Sequence, residues 1–128
     1  MSLTLATVMV ASGAAAKPHL RDTVIDDTLL AIGLADQIRK TCPSISARIF
    51  RALGVINGLK DQAREMGYSD AEIDAYRNSD AEKARLRAAG EARLAGEGVT
   101  PGDAASYCAF GRREIEKQTP IGVLLRAS

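Results

Sequence analysis

The chain is 128 residues long, the size of one domain rather than several. Hydrophobic residues make up 46% and suffice for a core, but aromatics are only 4% and tryptophan is absent, so that core must come from Leu, Ile, Val and Ala, which suits helices packed on helices. Seventeen basic residues nearly cancel sixteen acidic ones, which removes any global field for steering a polyanion and speaks against nucleic-acid binding.

Residues 3–11 are apolar or small and uncharged, and Ser12, Gly13, Ala14, Ala15 and Ala16 follow. Ala14-x-Ala16 satisfies the small-residue rule for signal-peptide cleavage ahead of Lys17. The run is too short to span a bilayer. No Lys or Arg precedes Leu3, which departs from the usual pattern, and a buried N-terminal helix is the competing reading. On the export reading residues 1–16 are a cleaved signal peptide and 17–128 form a single helical domain. His19 and its neighbours then make an extended, mobile lead-in after Pro18.

The spacing of Ile25, Leu29, Ile32 and Ile38 predicts a first helix over residues 26–40, with Asp26 and Asp27 at its positive end and Arg39 and Lys40 at its negative end. Pro43 stops it by disfavouring helical geometry at Cys42. Ser44 is placed to cap a second helix over residues 45–66, in which Ile45, Ile49, Leu53, Ile56 and Leu59 form one apolar stripe with Phe50 beside it. Gly54 and Gly58 sit one turn apart and suggest a tight helix crossing, and Gly67 is a candidate C-cap. Ser69 with Glu72, and Ser79 with Glu82, read as two capping boxes. They open a short helix ending near Arg77 and a longer, polar one over residues 80–95 with a thin stripe of Ala84, Leu86, Ala88 and Leu94. Thr100, Pro101 and Asp103 read as N-cap, N1 and N3 of a last helix that ends before Pro120 and carries Tyr107, Cys108, Phe110 and Ile115. Residues 121–125 make a final apolar turn. No strand-like alternation stands out. The fold expected is all-α, about five helices in a compact orthogonal bundle.

Two cysteines, Cys42 and Cys108, lie far apart in sequence. In an oxidising compartment an even count suggests a bridge, and export favours it over two buried thiols. A redox-active pair lies closer in sequence, so the bridge reads as structural.

Little here resembles catalytic machinery. The single histidine, His19, has no predicted rigid partner, and two distant cysteines with one histidine do not have zinc-ligand spacing. No phosphate loop, dinucleotide fingerprint or calcium loop is present, so neither a cofactor nor a metal is expected. Asp26 with Asp27, and Glu114 with Glu116, read as helix-end charge and solvated face rather than acid–base pairs. The chain carries many arginines, a residue enriched at protein interfaces. Arg48, Arg51, Arg85, Arg87, Arg112 and Arg113 are the candidate partner-binding residues.

Three stretches carry a resemblance. They are Ile25-Asp26-Asp27 leading to Ile38-Arg39-Lys40-Thr41-Cys42, the two cap regions Gly67-Tyr68-Ser69-Asp70-Ala71-Glu72-Ile73 and Ser79-Asp80-Ala81-Glu82-Lys83-Ala84-Arg85, and Tyr107-Cys108-Ala109-Phe110-Gly111-Arg112. With the exported start, nearly the whole mature chain resembles a small exported alphaproteobacterial family of unknown function, and the paired cysteines fit its pattern. The resemblance implies genes within the operon of the respiratory NADH dehydrogenase, complex I. It therefore implies a periplasmic, non-catalytic accessory subunit on the membrane arm, with protein partners and membrane contact only through them. A free periplasmic binding or chaperone-like protein is the alternative. An enzyme would need a deep pocket with convergent polar groups.

Overall fold

In the computed structural model, which describes residues 17–128, five helices and one short antiparallel strand pair form an all-α protein. The expected signal peptide, residues 1–16, lies outside the described residues. A 3₁₀ turn, Leu20–Asp22, leads into α1, Val24–Thr41. Thr23 caps α1: its Oγ1 accepts from the Ile25 amide at 3.3 Å and donates to the Leu20 carbonyl at 2.7 Å. The lead-in before it is strapped down rather than mobile. Lys17 Nζ reaches Glu72 at 2.9 Å and the Gly67 carbonyl at 3.0 Å, the Tyr68 hydroxyl donates to the Pro18 carbonyl, and Leu20 is buried.

The second helix begins later than expected. Residues Ile45–Ala47 form β1, which pairs antiparallel with β2, Leu125–Ala127, in the register Ile45 to Ala127 and Ala47 to Leu125. Helix α2 is Ile49–Glu65, and Ser44 does not cap it. A strand partner 80 residues away holds the chain extended, and its hydrogen bonds outweigh the local cap signal. Ser44 instead accepts a hydrogen bond from Arg112 Nη2 at 2.9 Å. Ile45 is buried as a strand residue and not as part of the α2 stripe. Gly67, with φ of 93°, closes α2 as expected of a C-cap.

Helix α3, Asp70–Arg77, has a complete capping box: Ser69 Oγ accepts from the Glu72 amide at 3.1 Å and Glu72 accepts from the Ser69 amide at 3.2 Å. Helix α4, Asp80–Gly96, has only the serine half, because the Glu82 carboxylate is turned to Arg21 and Arg85. Its inward line is Leu86, Gly90 and Leu94, while Ala84 and Ala88 are exposed. The last helix, α5, is Ala104–Lys117 and not a helix from Pro101. Pro101 and Gly102 make a turn instead: Gly102 has φ of 77° and the Asp103 amide bonds back to the Thr100 carbonyl at 3.0 Å. A second 3₁₀ turn, Gly122–Leu124, delivers the chain into β2.

Helix α1 is central. Leu34 and Ile38 pack with Phe110 of α5, Ile45 of β1 and the closing Leu124 and Leu125, all at most 3% exposed. A second cluster, Leu20, Ile25, Leu59, Ala63 and Tyr68, seats α2 beside α1, and Ile32 packs against both. The disulfide Cys42–Cys108 joins the end of α1 to the middle of α5, with Cα atoms 5.2 Å apart. Among the described residues no helix is long and apolar enough to cross a membrane.

Candidate functional site

Helix α2 carries more apolar residues than the core takes in. Leu59 and Ala63 are buried, and Ala52 and Val55 pack half-buried against the main core. The rest of the expected stripe points outward: Ile49 is 58% exposed, Leu53 51% and Ile56 39%, and Phe50 beside them is 90% exposed. At 100° per residue these four fall within about 120° of the helix, one continuous face. Gly54 and Gly58 do not mark an internal crossing, since a Cβ on either would meet nothing within 4 Å. They leave bare backbone beside the apolar face, open to close approach from outside. Scattered apolar residues on a surface are ordinary, whereas a continuous exposed apolar helix face is a candidate contact surface.

The six arginines singled out from sequence do not form one patch. Arg48 is half-buried, and its Nε donates to the Leu125 carbonyl at 3.1 Å, tying α2 to β2. Arg112 bonds to Ser44, and Arg113 donates to the Glu97 carbonyl at 3.2 Å with its guanidinium 5.8 Å from the Phe110 ring centre. Arg85 is the hub of a polar cluster between α1, α3 and α4. It grips Asp26 through Nη1 at 3.1 Å and Nη2 at 2.5 Å, Glu82 through Nε at 2.8 Å and the Tyr76 hydroxyl at 3.1 Å. Burial pushes the Asp26 carboxyl up, but hydrogen bonds from Arg85 and Tyr76 outweigh it and hold the group below its ordinary value. Burial and the neighbouring Asp26 carboxylate push the Tyr76 hydroxyl well above the ordinary tyrosine range. Arg51, one turn from Val55 on α2, and Arg87, on α4, are exposed and have no ion-pair or hydrogen-bond partner among the described residues.

Glu114 differs from the solvated reading. It is 6% exposed, accepts from Arg93 Nη2 at 3.2 Å, and its Oε2 has no partner among the described residues. Glu116 is exposed as expected. A cleft of about 680 Å³ opens between α1 and α4, floored by Leu30, Leu34, Leu86, Leu94 and Tyr107. The apolar spacing that builds the α2 face was visible in sequence, but its exposure was not. The cleft left no sequence signal except Gly33 and Gly90, which thin the two facing helices.

The model of a family of unknown function, DUF5333, matches residues 17–126, and the chain belongs to that family. No curated protein and no solved structure matches it.

Proposed function

We propose that the protein is a non-catalytic accessory subunit of respiratory complex I, held on the periplasmic face of its membrane arm and contributing structure and assembly rather than turnover. The observation that carries a docking role is the outward apolar face of α2, with Phe50 90% exposed at its edge. Aromatic residues, phenylalanine among them, are enriched at the buried centres of protein interfaces. Residence outside the cytosol is supported by the Cys42–Cys108 bridge, a bond that persists in oxidising compartments. It is also supported by the family match, which begins at Lys17, the residue expected to open the mature chain. The choice of complex I rests on the resemblance carried by the helix-cap and cysteine segments. The partner surface on this reading is protein, the extramembrane loops of membrane-arm subunits.

Phe50→Asp combined with Leu53→Asp tests the reading. Both side chains are exposed, so stability is expected to stay within about 0.5 kcal/mol of wild type. The variant is expected to stop co-purifying with respiratory subunits and to lower the yield of intact complex while leaving turnover per complex unchanged. Co-purification at the wild-type ratio would remove the α2 face from the argument. A wild-type chain recovered only as a solitary monomer would remove the subunit reading altogether.

A further inference from the structure

We infer that the α1–α4 cleft binds a long-chain fatty acid, its tail lying along Leu30, Leu34, Leu86 and Leu94 and its carboxylate meeting Lys83 and Arg87. The cleft, about 680 Å³, falls within the range of small-ligand sites. It follows α4 from Glu82 to Ala95, a path of about 20 Å, so it is a long channel rather than a round cavity. Leu30, Leu34, Leu86 and Leu94 give it an apolar middle, while Tyr76 and Glu82 line one end. A Cβ at Gly90 would stand 3.7 Å from Leu34 and 3.8 Å from Leu30, space its absence leaves to the cleft, and Gly33 leaves the α1 wall bare, with nothing within 4 Å of where a Cβ would stand.

The occupant's chemistry follows from what the floor and the rim offer. The helix backbones that form the walls have already spent their hydrogen-bonding groups within the helices. An extended peptide in the channel would bury amides without partners, a cost an acyl chain does not carry. The rim is charged unevenly. Asp36 is neutralised by Arg39 and Lys40, and Glu82 by Arg21 and Arg85. Arg77, Lys83 and Arg87 line the cleft without a partner among the described residues, against Glu91 as the one carboxylate in the same position. Arg77, Lys83 and Arg87 lie toward one end of the channel and Val99 and Tyr107 toward the other. That polarity, cations at one end and apolar walls beyond, complements a molecule with one anionic head and one long tail.

Calorimetric titration of palmitate into the full, disulfide-intact chain is the test. Saturable one-to-one binding is expected, weakening about fourfold for each methylene removed from the chain. A Cβ at Gly33 meets nothing within 4 Å, so Gly33→Leu extends an apolar side chain from the open α1 wall and removes a helix-interior glycine; its melting temperature is expected to hold or rise while palmitate affinity falls by about tenfold or more. Lys83→Glu with Arg87→Glu, both on an exposed face, is expected to cost palmitate about tenfold and leave a cationic amphiphile of the same tail no weaker. The proposal is overturned by the absence of saturable binding, by unchanged affinity in either variant, or by capture on phosphatidylglycerol vesicles without binding of palmitate. It is equally overturned if palmitate fails to bind while Gly33→Leu weakens association with a protein complex, because the channel then receives a partner's segment.

Discussion

Gly122 has no room for a side chain: a Cβ there would stand 1.9 Å from the Glu114 carbonyl oxygen and 2.7 Å from the Ile115 nitrogen. Backbone of α5 cannot step aside cheaply, so Gly122→Ala is expected to destabilise by about 3 kcal/mol or more in chemical denaturation. Gly111 is crowded differently. Its Cβ would meet side-chain atoms of Ile45 at 2.6 Å and Ile38 at 2.7 Å, which can shift, and alanine favours the helix, so Gly111→Ala is expected to cost less than Gly122→Ala. The reverse order would mean that the closing turn yields more readily than the α1–α5 contact. Charge at the residue scale centres on Asp26. Its carboxyl titrates lower in the folded chain than in the unfolded one, so the unfolded chain binds the extra proton in acid. The stability it contributes is therefore complete above the ordinary carboxylate range and is lost as pH falls through the folded value, below about pH 4. Asp26→Asn is expected to cost about 1–3 kcal/mol at pH 7 through the weakened bond to Arg85. The gap to wild type should narrow in acid, and a gap that stays constant from pH 7 to pH 3 would show that the ion pair is not its source.

Among the elements, the helix caps were legible in the sequence because a cap is a local bond between residues three apart. Ser69 and Ser79 both accept from the amide three residues on, as their spacing predicted. Replacing either with alanine is expected to cost about 1 kcal/mol. Removing the glutamate partner should differ between the two. Glu72→Gln keeps a reach back to the Ser69 amide and loosens only the exposed Lys17, whereas Glu82→Gln loosens both Arg85 and Arg21, so thermal melts should show the larger loss for Glu82. The starts of α2 and α5 depart from their local sequence signals for reasons of opposite range. Ser44 and Ile45 look like a helix entrance until β2 arrives from the far end of the chain to pair with Ile45–Ala47. At α5 the signal was local but outcompeted: Pro101 fits a first helical turn, yet Pro-Gly also makes a turn with Gly102 at positive φ, and that geometry delays the helix to Ala104. Helix α2 shows the same limit for the functional face. Period alone lines up Ile49, Leu53 and Ile56 with Leu59, but only the neighbours present in the fold decide which of them are covered.

At the scale of the whole molecule the disulfide and the strand pair act on the same corner. Cys42 is fully buried at the end of α1, and three residues later β1 receives the chain's last residues. The bridge closes a loop between positions 66 apart, worth about 3–5 kcal/mol through the unfolded chain. Cys42→Ser and Cys108→Ser are expected to lose similar stability, and the double variant no more than either, measured by denaturant unfolding. Clearly additive losses would mean that each residue stabilises by its own packing rather than through the shared bond.

The class of the fold, the number and order of its helices, the two serine caps and the Gly67 stop were determined by the sequence itself, because each rests on periodicity or on bonds spanning a few residues. The same holds for the even pair of cysteines, which a single bridge satisfies. Tertiary structure alone decided the strand pair, the burial of Glu114 against Arg93, the conversion of Arg48 and Arg85 into internal ties, and the exposure of Phe50 and its neighbours. Each of these depends on which distant segment comes to lie alongside, and a residue's own neighbours in the chain carry no record of that.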